Sequence, residues 1–249
     1  MAESAWGTSP KMKLCLALSE KYFMPAKHRL ATASKSRHLL VTAGPTREML
    51  DPVRFLSNVS TGHMGYQIAC EGKRMGFQVT LISGPVSLTP PRGIRYVPVV
   101  SAEEMNRAVF QNWPKTDILV MTAAVCDYTP VRFSPSKIKR VSQKTIRFKR
   151  TPDILAAIGK RKGNRITVGF SLETESLKRN ALRKLKAKNL DFIVANWYGE
   201  RNNPFGANRT SMILMDQKGV KKRFQRMAKA SIAKSLLKEV LRFWSSKNS

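Results

Sequence analysis

The sequence predicts an α/β fold of three layers, in which helices cover both faces of a mostly parallel β-sheet. Short apolar segments typical of buried strands alternate with amphipathic helical segments along most of the chain. This alternation favours parallel strands, because each helix carries the chain back to the starting edge of the sheet. Two further apolar segments flank the turn QKG, and they predict a small β-hairpin region.

The first half of the pattern starts at His38 with HLLVTAG, a short apolar run that ends in a turn and predicts a buried strand. A helix is expected after Gly65, in YQIACEGKRM, and it should end at Gly76. The next strands are expected in FQVTLISGP and IRYVPVV. In SAEEMNRAVFQNW, Ser101 and Glu104 have the spacing of a capping box, which predicts the start of a second helix.

The second half repeats the pattern with the expected strands DILVMTAAV, RITVGF and DFIVAN. PDILAAIGKRK predicts a helix that begins at Pro152, since proline is favoured in the first helical turn, and LKRNALRKLKAKN predicts the next helix. TSMILMD and VKKRF should form the hairpin, and RMAKASIAKSLLKEVLRFW should form a closing amphipathic helix. The predicted arrangement is Rossmann-like, with its ligand site at the carboxyl ends of the strands.

Residues 37–249 are predicted to form a single domain, preceded by an extension over residues 1–36 that lacks periodicity and is expected to be flexible. No apolar run approaches the roughly 20 residues of a membrane helix, and none near the N-terminus is long enough for a secretory signal. We therefore expect a cytoplasmic protein without membrane contact. Its 3 cysteines are too few and too scattered for a disulfide framework or a zinc site.

The chain has 45 Lys and Arg residues against 16 Asp and Glu residues, which gives a formal net charge of +29. Such a balance favours an anionic partner, such as nucleic acid, a membrane surface or a phosphorylated ligand. The basic residues are spread over several segments and form no aromatic-interleaved RNA motif. A strongly anionic substrate explains the charge as well as nucleic acid does, and nucleic-acid binding is kept as the less favoured alternative.

Four segments should leave the carboxyl ends of the strands and form one site: 43–65, 123–139, 170–174 and 196–206. The first holds two glycine turns, one at Gly44 and one over residues 60–65, and the second precedes a helix whose N-terminal amides can bind phosphate. A dinucleotide fingerprint would follow its strand directly and would need an acidic residue after the second strand. Phosphate binding is therefore favoured over NAD binding, and a purely structural tight loop is the other interpretation.

Polar residues in these segments have both a functional and a structural interpretation. Arg54 and Asn58 are four residues apart and would share one face if the segment were helical. Arg54 could bind a carboxylate or a phosphate and Asn58 an oxyanion or an amine, or either could simply hold the loop closed. The carboxylate of Asp127 could accept hydrogen bonds, bind Mg²⁺ or form a turn. Cys126 is not expected to be a nucleophile, because no histidine is placed to activate it.

Two groups of basic residues could meet a triphosphate. Lys137, Lys139 and Arg140 lie on a predicted loop that could clamp phosphates and release them. Lys184 and Lys188 are four residues apart on a predicted helix and should point the same way. Each group could equally be a solvated surface. The chain contains no Walker A motif, so any triphosphate must be held without a P-loop.

Several blocks, in this order, together resemble phosphopantothenoylcysteine synthetase, also called phosphopantothenate–cysteine ligase. They are VTAGPTREMLDPVRFLSN with STG and MG, SGPVSL, TAAVCDY, SKIKR, TPDIL, VGFSLET and KNLDFIVAN. The resemblance covers approximately residues 38–245 and is to the bacterial form, which is normally fused behind a flavin-dependent decarboxylase. Because only a short segment precedes the match, the resemblance implies a free-standing synthetase without flavin.

The resemblance implies a ligase of coenzyme A biosynthesis that joins 4'-phosphopantothenate to L-cysteine. In bacterial members, CTP with Mg²⁺ converts the carboxylate into an acyl-cytidylate and releases pyrophosphate. The amine of cysteine then attacks this intermediate, and CMP leaves. A homodimer is also implied, and ATP, which eukaryotic relatives prefer, stays open as the nucleotide.

The resemblance also implies site residues. The catalytic set is Asn58 for the second half-reaction, Lys137 for activation of the carboxylate, and Arg54 reaching across the dimer interface. The implied nucleotide site comprises Gly44, Ser60, Gly62, Gly65, Ala123, Asp127, Pro152, Asp153, Ile154, Leu155, Phe170, Lys184, Lys188 and Asn196. The implied substrate site comprises Arg54, Asn58, Ala123, Ala124 and Asp127, and no metal ligand is assigned.

Two positions depart from the family pattern. His63 stands where a lysine is common, and Arg140 replaces the last lysine of the loop. Both are expected to keep or to gain positive charge. Two alternatives are kept beside the ligase, namely a non-catalytic nucleic-acid-binding protein with the same fold and a Rossmann oxidoreductase.

Overall fold

An eight-stranded sheet forms the centre of the computed structural model, which describes residues 36–140, 145–199, 204–205 and 208–248. Of the extension predicted over residues 1–36, only Ser36 is described. The strands are β1 His38–Ala43, β2 Arg47–Met49, β3 Phe55–Ser57, β4 Gln78–Ser83, β5 Arg95–Pro98, β6 Ile118–Met121, β7 Tyr128–Pro130, β8 Phe148–Arg150, β9 Ile166–Glu173, β10 Phe192–Trp197, β11 Arg209–Asp216 and β12 Gly219–Ala228.

The strand order of the large sheet is β12-β11-β10-β9-β6-β1-β4-β5. All neighbours from β10 to β5 pair in parallel, whereas β11 pairs antiparallel with both β10 and β12. The predicted hairpin is therefore present at one edge of the sheet. Its place next to β10 extends the sheet and brings the C-terminal part of the chain beside the strands that carry the predicted site.

Helices cover both faces of this sheet. The helices described are α1 His63–Arg74, α2 Ala102–Asn112, α3 Ile154–Gly159, α4 Leu177–Ala187 and α5 Lys229–Asn248. Buried side chains of α1 and α5 pack in one apolar cluster with Val41 of β1, and those of α2, α3 and α4 pack in a second cluster with the adjacent Leu40. Because successive strand residues point to opposite faces, the clusters lie on opposite sides of the sheet. The predicted three-layer α/β fold is confirmed.

Two short hairpins were not expected from the sequence. β2 pairs antiparallel with β3, and β7 pairs antiparallel with β8. Arg54 lies between β2 and β3 and Asn58 directly follows β3, so the segment is not helical and the two residues do not share a helical face. The carboxylate of Asp51 accepts hydrogen bonds from the backbone N–H groups of Val53 and Arg54, both at 2.8 Å, and these bonds stabilise a turn instead of a helix.

Side-chain hydrogen bonds to backbone N–H groups define where α2 and α3 begin. Ser101 Oγ accepts from the Glu104 N–H at 3.2 Å, and the Glu104 carboxylate accepts from the Val100 N–H at 2.8 Å, so the predicted capped start of α2 is confirmed. In α3, Asp153 Oδ1 accepts from the Ala156 N–H at 3.1 Å. Asp153 is thus the N-cap, and α3 begins at Ile154 rather than at Pro152. Among the described helices, none combines the length and hydropathy of a membrane span.

Candidate functional site

The two glycine turns of the sequence meet in the structure. Gly44 and Gly62 both have left-handed backbone angles, with φ of 71° and 75°. A Cβ on Gly62 would lie only 3.3 Å from the backbone nitrogen of Gly44. A Cβ on Gly65, in the first turn of α1, would lie 2.6 Å from Ala43 Cβ and from Thr122 Oγ1. Glycine at these positions lets two loops and the start of α1 approach closely, so the two turns form one site.

A small cavity of about 200 Å³ lies at this junction. Its wall contains the predicted residues Ser60, Gly62, Gly65, Ala123, Ala124, Phe170 and Asn196. The wall also contains His63 and Lys229, which places two basic side chains at the start of α1. The N-terminus of a helix with adjacent basic side chains favours anions, so this cavity suits a phosphate group.

A larger cleft of about 870 Å³ adjoins the cavity and shares Ala123, Ala124 and Phe170 with it. This volume lies in the usual range for sites that hold a nucleotide or a compound of similar size. The cleft brings together the predicted residues Asn58, Ala123, Ala124, Asp127, Pro152, Asp153, Ile154, Leu155, Phe170 and Lys188. All four expected segments therefore meet at the cleft, and the last of them contributes Tyr198 and Phe205, which sequence reasoning did not single out.

Asn58 attaches the loop after β3 to the loop after β6. Its Nδ2 donates to the carbonyl oxygens of Ala124 and Val125, at 3.1 and 3.2 Å. The Ala124 N–H in turn donates to the Gly44 carbonyl at 2.9 Å, and the Ala124 carbonyl accepts from the Thr46 N–H at 3.2 Å. Asn58 thus holds the wall of the cleft closed, and it does so from a position in the cleft itself.

Arg54 and Lys137 do not line either cavity. Arg54 Nη2 donates to Asp51 Oδ2 and to the Ile138 carbonyl, both at 2.6 Å. Lys137 is exposed on the same loop as Ile138. Burial alone would raise the pKa of the Asp51 carboxyl, but hydrogen bonds from Arg54 and from backbone N–H groups hold it well below its usual range. Arg54 is therefore joined to the loop of Lys137 and not to the cleft.

Lys184 and Lys188 have different partners. Lys184 Nζ lies 2.7 Å from Glu173 Oε1 and 3.3 Å from Ser171 Oγ, and it does not line the cleft. Burial would raise the pKa of Glu173, but the hydrogen bonds from Lys184 and Ser171 outweigh it and lower the pKa. Lys188 does line the cleft, and its Nζ lies 2.9 Å from Asp153 Oδ1. Only Lys188 of this pair is placed to meet a ligand in the cleft.

Lys229 is the main site residue that sequence reasoning missed. It is 6% exposed, its Nζ donates to the Pro204 carbonyl at 2.8 Å, and burial lowers its pKa. Burial and the charge of Lys229 lower the pKa of His63 as well. Both effects disfavour the protonated, positively charged form of His63. Lys229 opens an amphipathic helix, and the helical pattern alone gave no reason to place it against a residue of the second glycine turn.

Cys126 is buried beneath this site. Burial raises the pKa of its thiol, which opposes formation of the nucleophilic thiolate. Its Sγ lies 3.5 Å from the Thr46 carbonyl, and its backbone N–H donates to Thr46 Oγ1 at 2.9 Å. These contacts agree with a structural role for Cys126.

Comparison with known proteins identifies the family. Residues 34–243 match the model of the DNA/pantothenate metabolism flavoprotein C-terminal domain. The chain belongs to this family. The coenzyme A biosynthesis bifunctional protein CoaBC of Bacillus subtilis is 40% identical over 225 residues, which cover 90% of this chain and 55% of that protein. The protein of the same name from Escherichia coli K12 is 40% identical over 192 residues, which cover 75% of this chain and 47% of that protein.

A solved structure supports the assignment. The crystal structure of the C-terminal domain of coenzyme A biosynthesis bifunctional protein CoaBC has a TM-score of 0.73 and 34% identity. The match covers 87% of this chain and 100% of that domain. The chain spans about half the length of the two bifunctional proteins, and it corresponds to their C-terminal part. The resemblance to phosphopantothenoylcysteine synthetase is thus confirmed at the level of the family.

The charge state of His63 provides a test of the site's electrostatics. We expect its imidazole to titrate below the ordinary value of 6.5, because burial and Lys229 disfavour the protonated form. It should become charged only as the pH falls below that value. Lys229→Met should raise the pKa measured by NMR, whereas Lys234→Met, at an exposed position of α5, should leave it unchanged. Equal values in the wild type and Lys229→Met would contradict the coupling.

Proposed function

We propose that this chain is a phosphopantothenate–cysteine ligase that works through an acyl-cytidylate. The observation that carries the proposal is the junction of the two glycine turns with the start of α1, beside a cleft that contains Asn58, Asp127 and Lys188. The names of the relatives place them in coenzyme A biosynthesis, which supports the same reaction class. A carboxylate is a poor electrophile, and its activation by a nucleotide needs a site that binds both compounds side by side.

The first half-reaction would join the pantothenate carboxylate to the α-phosphate of CTP and release pyrophosphate. In this proposal the α1 start, with Ser60, Gly62 and Gly65, holds phosphates through backbone amides. Lys188 and the segment around α3 hold the base and sugar, since they line the larger cleft. Lys137 would stabilise the charge that develops during transfer, from an exposed position on a loop outside the cleft wall.

The second half-reaction would transfer the acyl group to cysteine. The amine attacks the acyl carbon, the bond to CMP breaks, and the amine loses a proton. Asn58 is placed in the cleft wall, and its Nδ2 already bonds two carbonyl groups of the neighbouring loop. We propose that these bonds fix the amide so that its free Oδ1 can accept a hydrogen bond from the attacking amine and orient it.

The described residues fit a magnesium ion that is held mainly by the nucleotide. Within the described part of the chain, no group of three or more His, Cys, Asp or Glu side chains forms a metal cluster. Asp127 and Asp153 line the cleft, and one or two carboxylates with substrate phosphates are a common environment for Mg²⁺. When bound, the ion would neutralise charge on the triphosphate. Asp153 already forms an ion pair with Lys188, which leaves Asp127 as the better candidate ligand.

We also propose a homodimer, because the two short hairpins carry an exposed apolar surface. β2 contacts β7, so the hairpins lie side by side. The large exposed apolar side chains on and around them are Val53, Phe55, Leu56, Val59, Val131, Phe133, Ile146 and Phe148. Apolar surface concentrated in this way is typical of a protein interface, and a second copy would cover it.

The activity is tested by measuring pyrophosphate and CMP. With Mg²⁺ and CTP, the wild-type protein should release pyrophosphate only when 4'-phosphopantothenate is present, and CMP should appear when cysteine is added. Parallel reactions with ATP, GTP and UTP identify the preferred nucleotide. Absence of any nucleoside monophosphate with every substrate present would refute the ligase, and salt-dependent RNA or DNA binding without turnover would favour the nucleic-acid alternative.

The role of Asn58 is tested by Asn58→Asp. The substituted carboxylate cannot donate to the two carbonyl groups that bind Nδ2, so the second half-reaction should slow while acyl-cytidylate accumulates. The intermediate would be detected by mass spectrometry, with thermal unfolding as a check on folding. Ordinary turnover would remove Asn58 from the reaction, and loss of both half-reactions would assign it to loop closure alone.

The dimer is tested by Phe133→Glu. A charged side chain in the proposed interface must be desolvated on association, so the variant should be monomeric in sedimentation or light-scattering measurements. Val220→Glu is the matched control, because Val220 is also exposed but lies on β12. A dimer that survives Phe133→Glu, or a wild-type monomer, would contradict the assignment of this surface.

A further inference from the structure

Asp51 is a fully buried carboxylate between β2 and β3, with 0% of its surface exposed. Its Oδ1 accepts from the N–H groups of Val53 and Arg54, both at 2.8 Å. Its Oδ2 accepts from Arg54 Nε at 2.9 Å, from Arg54 Nη2 at 2.6 Å and from the Ile138 N–H at 3.1 Å. The first two bonds form an ordinary turn. The bond to Ile138 reaches a residue 87 positions away and needs another explanation.

The peptide groups of Ile138 are held from both sides. Its N–H donates to Asp51, and its carbonyl accepts from Arg54 Nη2 at 2.6 Å. A second attachment lies four residues earlier, where the Ser134 N–H donates to the Leu50 carbonyl at 3.0 Å. Lys137 therefore stands on a loop that is fixed on both sides, and one of the two attachments is the residue next to it.

The negative charge of Asp51 is what makes this attachment strong. Hydrogen bonds to a charged acceptor are roughly twice as strong as those between neutral groups. An isosteric neutral amide would lose the ion pair with Arg54, and its NH₂ group would face donors instead of acceptors. A buried carboxylate with this many donors is also costly to disturb, because removal of one partner leaves polar atoms unsatisfied.

We propose that Asp51 is a positioning residue for the first half-reaction, acting through Arg54 and the Ile138 peptide groups to fix the part of the loop from which the Lys137 side chain acts. The inference rests on the proposed function, because Lys137 needs to be positioned in this way only if it takes part in the ligase reaction. Asp51 itself is buried and need not touch a substrate. Displacement of a reacting group by about 1 Å can lower the rate roughly 100-fold, so an attachment that fixes the loop of Lys137 can have a large effect on the rate.

The test compares Asp51→Asn with the wild type in two measurements. Formation of acyl-cytidylate should slow by about 10- to 100-fold, while CTP affinity and the reaction of preformed acyl-cytidylate with cysteine should change by less than about twofold. Cleavage by trypsin after Lys139 and Arg140, in the same loop, should become faster. A structural defect alone would slow both half-reactions and open the whole chain to cleavage.

Asp191→Asn is the matched control. Asp191 is a second buried aspartate, which accepts from the Thr167 N–H at 2.8 Å and from Lys162 Nζ at 3.1 Å, and it has no bond to the loop. The control should leave loop cleavage unchanged. If Asp51→Asn does not fold, Ile138→Pro removes the N–H that binds Asp51 while Asp51 keeps its bonds to Arg54; the proline also restricts the backbone of Lys137. This variant should slow the first half-reaction, with faster cleavage after Lys139 and Arg140.

The outcomes separate this inference from the proposed function. A wild-type protein that makes no acyl-nucleotide overturns the ligase itself. An active wild type whose loop cleavage is unchanged by Asp51→Asn, or by Ile138→Pro where that variant replaces it, overturns the anchoring. Faster cleavage with an unaltered first half-reaction shows that the attachment exists but does not position Lys137, and this result also overturns the proposal.

Discussion

The close approach of the Gly44 and Gly62 backbones is the contact on which the candidate site depends. Both residues adopt left-handed backbone angles, and no Cβ fits between them without displacing Val86 or the Gly84 carbonyl. This contact brings the loop after β1 against the start of α1, and Gly65 then lets α1 sit on the strand ends. The phosphate-sized cavity, its helix N-terminus and the adjoining cleft all follow from it.

Three carboxylates around this site form ion pairs with basic residues that the sequence analysis had assigned to it. Of the cations that the sequence singled out, Arg54 pairs with Asp51, Lys184 with Glu173 and Lys188 with Asp153. A bound triphosphate would therefore compete with protein carboxylates for some of these cations. The partly exposed pair of Lys188 and Asp153 is the one that can exchange at low cost, whereas the buried Asp51 keeps Arg54 in place. Lys188 is therefore available to bind a ligand, whereas Arg54 stabilises the structure of a loop.

Periodicity in the sequence predicted the strands of the large sheet and the helices that cover it, because their apolar faces are buried over many residues. It missed β2, β3, β7 and β8, each of which has only three residues and shows no clear alternation. For the same reason the four-residue spacing of Arg54 and Asn58 could not show that they lie in and beside a hairpin instead of on a helix. Spacing could not reveal the bond between Asp51 and Ile138, since it joins residues 87 positions apart.

His63 shows why a single position of a motif is a poor guide to the charge of a site. A histidine in place of the usual lysine suggests a changed phosphate site, yet Lys229 of α5 supplies a buried cation in the same cavity. Burial lowers the pKa of both groups, and the charge of Lys229 lowers the pKa of His63 further. An entering phosphate opposes this repulsion and stabilises both protonated forms. The site would then gain positive charge as the anion binds. The positive charge expected at position 63 would therefore depend on the bound ligand as well as on the type of residue found there.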